Sequence, residues 1–408
     1  MKPLGPIPKG FGSLDGELAI DGRRASKLVG DAGRTPLFVY SSAMIGQRIA
    51  DLRAAMPQRI KLNYAIKANS YSPLLKFVSG LVDGLDIASG GELDLVRSLG
   101  ISGSRVSFAG PGKRDEELQA AIEQGVTLNL ESENEAERAL AIASRCDRKP
   151  RLAIRVNPDF ETKGSGMKMG GGAKPFGIDA DRVPSLARKL FTSDCEWQGF
   201  HIFAGSQSLD AAALVETQTN TLFLAKRLAD EAGVPLPKLN MGGGFGIPYF
   251  HGNEQLEIAH IGQALSSTLQ SMSDTFKETD LYLELGRYLV GEAGVYLTRI
   301  VDRKTSHGQT FLITDGGLHH QLAASGNFGT VVRRNYPVAI ATRFAAEPEE
   351  EVNIVGCLCT PLDRLADNAH LPKAEVGDIV AIFCAGAYGA SASPSAFLGQ
   401  GPAAEMLV

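Results

Sequence analysis

The chain has 408 residues, and 41 Lys plus Arg against 46 Asp plus Glu leave a net charge of −5; with no basic run to follow a phosphate backbone, nucleic acid is not an expected partner. Hydrophobic residues at 44% and charged residues at 21% exclude a disordered, collagen-like or coiled-coil chain, and no stretch nears the roughly 18 apolar residues of a membrane span. Five irregularly spaced cysteines offer neither a disulfide framework nor a zinc pair, and glycine and proline interrupt the N-terminus where a secretory signal needs an apolar run, so a cytoplasmic protein is expected.

Residues 1–36 read as an N-terminal segment, with a strand over 17–20 before the Asp21-Gly22 turn signal, expected to pair with the C-terminal domain. Over 37–294, eight β-rich runs (61–68, 84–89, 105–110, 127–131, 151–157, 198–205, 238–243 and 281–287) alternate with stretches of helical periodicity at 91–99, 114–124, 133–144, 211–232 and 260–276. Ser132 is placed to cap the helix that begins at Glu133. Eight strand and helix repeats over this length predict an α/β fold, a parallel (β/α)8 TIM barrel. A glycine-rich loop, 164–172, follows the fifth strand. Over 295–408 the β runs 295–303, 309–314, 351–357 and 378–384 are separated by turn residues, which predicts an antiparallel β domain.

Barrel enzymes carry their chemistry at the C-terminal ends of the strands. The first run ends at Lys67, the one charge in a neutral stretch; a lysine desolvated there is expected to have a lowered pKa and to form a Schiff base with an aldehyde. An isolated strand-end lysine is more often merely exposed, but Lys67 has company. The sixth run ends at Gly205-Ser206 and the seventh at Gly242-Gly243-Gly244, where backbone amides can converge on an anion, although a plain turn has the same composition. Glu284 and Arg287 end the eighth run, as a site pair or a structural ion pair. Imine lysine, ring-nitrogen carboxylate and phosphate cradle together describe pyridoxal 5'-phosphate.

These segments, with 86–93, 359–363 and 386–388, resemble the fold-type III pyridoxal-phosphate decarboxylases, the diaminopimelate/ornithine/arginine decarboxylase family, whose alanine-racemase-like barrel carries a C-terminal β domain. The resemblance implies that Lys67 holds the cofactor and Glu284 keeps its ring nitrogen protonated. It implies that Ser206, Gly243, Gly244, Arg287 and Tyr388 bind the phosphate, with Asp86 near Lys67. Cys359 would come from a neighbouring subunit to protonate the α-carbon, with Asp363 closing its loop, so the resemblance implies a homodimer with shared sites. Where the family stacks a histidine on the ring, this chain has Phe203, with His201 two residues earlier; phenylalanine stacks but donates no hydrogen bond.

The substrate end departs further. Thr360 replaces the acidic residue that reads a distal amine, and Ala323, eight residues past Asp315, replaces the arginine that grips a distal carboxylate. Asp315, His319, Thr360 and Asp363 remain as candidate substrate residues. His319 and His320, read as strand neighbours, would face opposite sides, so no metal is expected. The segments 167–171, 240–249, 315–320, 358–361 and 393–399 resemble the butirosin-pathway decarboxylase, which acts on a glutamyl group on an acyl carrier protein, and the exosortase-associated decarboxylases. That implies an acyl carrier protein as partner. Diaminopimelate or another basic amino acid is the alternative substrate; a racemase is disfavoured because that family places arginine where Glu284 stands.

Overall fold

The computed structural model describes residues 1–161, 166–326 and 333–408. Eight parallel strands, Ile60–Ala65, Gly84–Ile87, Val106–Phe108, Thr127–Leu130, Arg151–Asn157, Glu196–Ile202, Lys238–Gly243 and Asp280–Leu285, pair in chain order, and the eighth closes on the first. Their outward residues, such as Leu62, Leu85, Leu128, Ile154 and Leu283, are buried against the surrounding helices, each burial contributing about 1.5–3 kcal/mol. The helices begin where the local chemistry supplies an acceptor. Ser89 accepts from the Glu92 amide at 3.2 Å and Ser132 from Glu135 at 3.0 Å, starting helices Gly90–Ser98 and Glu133–Arg145.

The second domain is a mostly antiparallel sheet ordered Val338–Ile340, Ile379–Ile382, Gly294–Ser306, Gln309–Thr314, Glu350–Val355 and Arg364–Leu371. Leu37–Tyr40 belongs to this sheet and not to the barrel, pairing with Gly294–Ser306 and, in parallel, with Ala404–Leu407. The first barrel-side element is therefore helix Ser42–Ala55. All four residues of Leu37–Tyr40 are buried, and an apolar run buried on both faces carries no periodicity to show which layer it joins.

The N-terminal strands Gly12–Leu14, Glu17–Ile20 and Arg23–Arg24 form their own small sheet. Among the described residues these strands form no ladder with the second sheet, although earlier in the segment Lys2 N donates to Asn368 O at 2.9 Å. Leu18, Ile20 and Leu28 instead pack on its Leu37, Val295, Leu297 and Phe383. Part of the glycine-rich stretch 164–172 lies outside the described residues, while Met167–Lys168 pairs with Gly205–Ser206 at the barrel mouth. Among the described residues, no helix is long and apolar enough to cross a membrane.

Candidate active site

The C-terminal ends of the first, sixth, seventh and eighth barrel strands surround one cavity, with Lys67, Phe203, Ser206, Gly244, Glu284 and Arg287 in its wall. Tyr388 joins them from the β domain. Its amide donates to Ala68 O at 2.8 Å, and Asn69 Nδ2 donates to Gly386 O at 3.0 Å, fixing the domain over the barrel top. Lys67 Nζ lies 5.9 Å from the centre of the Phe203 ring.

Glu284 is buried, and its Oε2 meets His201 Nε2 at 2.8 Å and accepts from Asn240 Nδ2 at 3.2 Å. Burial alone would raise its pKa, but the His201 hydrogen bond and charge, with the cations Lys67 and Arg155, hold it down to about 2. Asp86 goes the other way: burial, then the charge of Glu284, push it well above the carboxylate range despite Lys67 and a hydrogen bond from Ser107. Burial pushes the Lys67 ammonium down, yet Glu284 and Asp86 outweigh it and the pKa is raised. The lowered value expected for a desolvated lysine is therefore not found, because two carboxylates accompany it.

The phosphate side of the cavity has its own chemistry. The Arg287 guanidinium packs 4.6 Å from the Tyr388 ring centre and donates from Nη1 to Tyr249 Oη at 2.7 Å, while its buried Nε has no partner. Among the described residues no carboxylate pairs with Arg287, leaving a buried cation that an anion beside Ser206 and Gly244 would neutralise. Glycine is required here by close packing as well. A Cβ on Gly243 would lie 2.1 Å from Glu284 O, and one on Gly244, at φ +81°, would lie 2.4 Å from Gly205 O. These residues fit pyridoxal phosphate: a lysine for its aldehyde, a carboxylate for its ring nitrogen, and an unpaired guanidinium for its phosphate.

Residues 42–291 match the pyridoxal binding domain of pyridoxal-dependent decarboxylases. The chain belongs to this decarboxylase family. It is 36% identical to the L-glutamyl-[BtrI acyl-carrier protein] decarboxylase of Niallia circulans, over 91% of this chain and 88% of that one. It is 33% identical to the diaminopimelate decarboxylase of Aquifex aeolicus, over 97% and 91%. Its fold matches the crystal structure of Helicobacter pylori diaminopimelate decarboxylase complexed with L-lysine, with a TM-score of 0.83, 27% identity and 94% of both chains covered. The protein is thus a pyridoxal-phosphate-dependent decarboxylase with an alanine-racemase-like barrel and a β domain.

The decarboxylase does not bring every predicted residue to this cavity. Cys359 is exposed on the 356–363 loop, and no residue of that loop lines the Lys67 cavity. Asp363 is turned into its own loop, where Oδ1 accepts from Leu318 N at 2.6 Å and Oδ2 from Leu358 N at 2.9 Å. Each of its oxygens thus accepts one backbone amide. Replacing Asp363 with Ala strands both amides and is expected to cost about 2–5 kcal/mol, measured as a lower urea midpoint with an unchanged slope.

Asp315 is also committed, accepting from Thr35 Oγ1 at 2.5 Å, Thr298 Oγ1 at 2.7 Å and Arg299 N at 2.9 Å, so it joins the N-terminal segment to the sheet. His319 is fully buried, with neither ring nitrogen partnered, and burial lowers its pKa. It and His320 lie in a turn with ring centres 3.9 Å apart, not on opposite faces of a strand. Thr360 is half-buried, and its hydroxyl accepts from Leu362 N at 3.4 Å.

Sequence reasoning missed the functions of His201 and Asn240 beside Glu284, and it missed Arg155, buried and paired with Glu131 at 2.8 Å. The available signal was weak, since each of these strands carries other polar residues as well, such as Gln198, Lys238 and Asn157.

Proposed function

We propose that this decarboxylase is a cytoplasmic homodimer that removes the α-carboxylate, as carbon dioxide, from a glutamate-like amino-acyl group tethered to an acyl carrier protein. The observation that carries the reading is the cavity that gathers Lys67, Ser206, Glu284 and Arg287, combined with a substrate end lacking the family's discriminating charges, at Thr360 and Ala323. The relative at 36% identity acts on an L-glutamyl carrier protein. A cytoplasmic location accords with five free thiols.

In this reading Lys67 attaches the cofactor, and Ser206, the Gly243-Gly244 backbone, Arg287 and Tyr388 hold its phosphate. Phe203 packs on the ring. Bound pyridoxal phosphate supplies the electron sink for the pair left at the α-carbon when carbon dioxide departs. Glu284, kept ionised by His201 and Asn240, holds the proton on the ring nitrogen, and Asp86 sets the field around Lys67. Cys359, carried into the site by the partner subunit, delivers the proton to the α-carbon. Free diaminopimelate or lysine would bury a charged far end without a partner, at a cost of several kcal/mol. A thioester has no such charge, and the carrier arm leaves through the cavity mouth.

The test is carbon dioxide release from free and carrier-tethered amino acids: release confined to free basic amino acids would reverse the proposal. Restoring the missing charges supplies a second check. Thr360→Glu combined with Ala323→Arg is expected to raise kcat/KM on free meso-diaminopimelate by roughly tenfold or more, since each matched charge contributes on the order of 1–3 kcal/mol. Steady-state kinetics of the double variant measure it.

A further inference from the structure

The barrel encloses a second cavity at the end opposite Lys67. Lys61, Arg105 and Lys238 stand at its rim, and Asn63, Ser107 and Asn129 are in its wall. A parallel barrel ordinarily fills this space with layers of Val, Ile and Leu. Here the amides of Asn63 and Asn129 and the hydroxyls of Ser107 and Thr127 stand beside Ala153 and Phe200, and the buried Asn63 Oδ1 has no partner. A polar cavity with an unmet acceptor is one that water fills.

This cavity reaches the carboxylates beneath Lys67 through one layer of side chains. Asp86 is 2% exposed and lines neither cavity. Ser107 lines the lower one and donates its hydroxyl to Asp86 Oδ1 at 2.5 Å, while Asn129 Nδ2 donates to Ser107 Oγ at 3.3 Å and orients it. The hydroxyl therefore touches both Asp86 and the polar space below.

We propose that Ser107 relays protons between water in this lower cavity and Asp86, so that the Asp86–Glu284 pair exchanges protons through the N-terminal end of the barrel. In the forward direction the Ser107 O–H bond breaks as a proton passes to ionised Asp86. A hydronium in the cavity restores the hydroxyl and becomes water. The reverse sequence returns the proton to solvent. Burial and the Glu284 charge favour a proton on Asp86, and His201, Lys67 and Arg155 are the basic groups that face the pair. The route bypasses the upper mouth, so the reacting end of the barrel can exclude bulk water while its carboxylates remain in proton equilibrium.

Infrared spectroscopy of the holoenzyme transferred into D2O tests this, following the Asp86 carboxylic-acid C=O band identified by its loss in Asp86→Asn. The wild-type band is expected to shift within the mixing time. In Ser107→Ala the shift slows roughly tenfold or more, through loss of the relay hydrogen bond, and Ser107→Thr restores it. Ala153→Leu, which fills the lower cavity from the fifth strand, slows it too and decides the matter if Ser107→Ala does not fold. Exchange at the wild-type rate in either blocking variant overturns the proposal, as does absence of a protonated Asp86 band in the wild type.

Discussion

Lys67→Ala is expected to abolish the borohydride-reducible covalent adduct with pyridoxal phosphate and to lower kcat by roughly 10³-fold or more. Lys67 is the amine in the cavity shared by Glu284, Ser206, Gly244 and Arg287, and the cofactor's aldehyde requires an amine at that place. Non-covalent binding need not vanish, because the Arg287 guanidinium and the glycine backbone remain to hold the phosphate. The variant should therefore retain cofactor in equilibrium dialysis while losing the visible absorbance of the lysine adduct. Mass spectrometry after borohydride reduction reads the result directly. A reduced adduct surviving in Lys67→Ala would move the cofactor to another residue.

Mixing inactive Lys67→Ala with inactive Cys359→Ala subunits is expected to restore about a quarter of wild-type activity: random exchange makes half the dimers mixed, and each holds one intact site. The structure motivates this because Cys359 is exposed and its loop is outside the Lys67 cavity of the same chain. Leu362 on that loop is exposed, as are Phe397 and Leu398 a few residues past Ser391, whose hydroxyl donates to Lys67 O. Subunit exchange verified by mass spectrometry with no recovered activity would place both residues in one chain's site, or remove Cys359 from the reaction.

The barrel was legible in the sequence because each of its strands is a short apolar run bounded by turn residues, and 151–157 and 238–243 coincide with Arg151–Asn157 and Lys238–Gly243. Leu37–Tyr40 was not, since its pairing with Ala404–Leu407 joins the two ends of the chain and leaves no local pattern. Arg364–Leu371 escaped for a different reason. It carries Asp367, Asn368 and His370, with Asn368 at φ +45°, so polarity and a kink mask its alternation.

Within the site, Lys67, Glu284 and Arg287 were legible as charges ending barrel strands. The surroundings that set their protonation were not. That Asp86 and Glu284 flank Lys67 and reverse the expected fall of its pKa is a property of three strands meeting, not of any one motif. Asp315 and Asp363 make the converse point: a motif names a carboxylate, but only the fold shows that its oxygens are already bound to Thr35, Thr298, Leu318 and Leu358.

The most direct test is a competition in which carrier-bound L-glutamate and free meso-diaminopimelate, at equal concentration, are offered to the pyridoxal-phosphate-loaded enzyme and the carbon dioxide from each is counted by isotope label. Nearly all of it is expected from the carrier-bound group, since the proposed substrate end at Thr360 and Ala323 offers no partner for a charged far end. An equal or greater yield from free meso-diaminopimelate would contradict it.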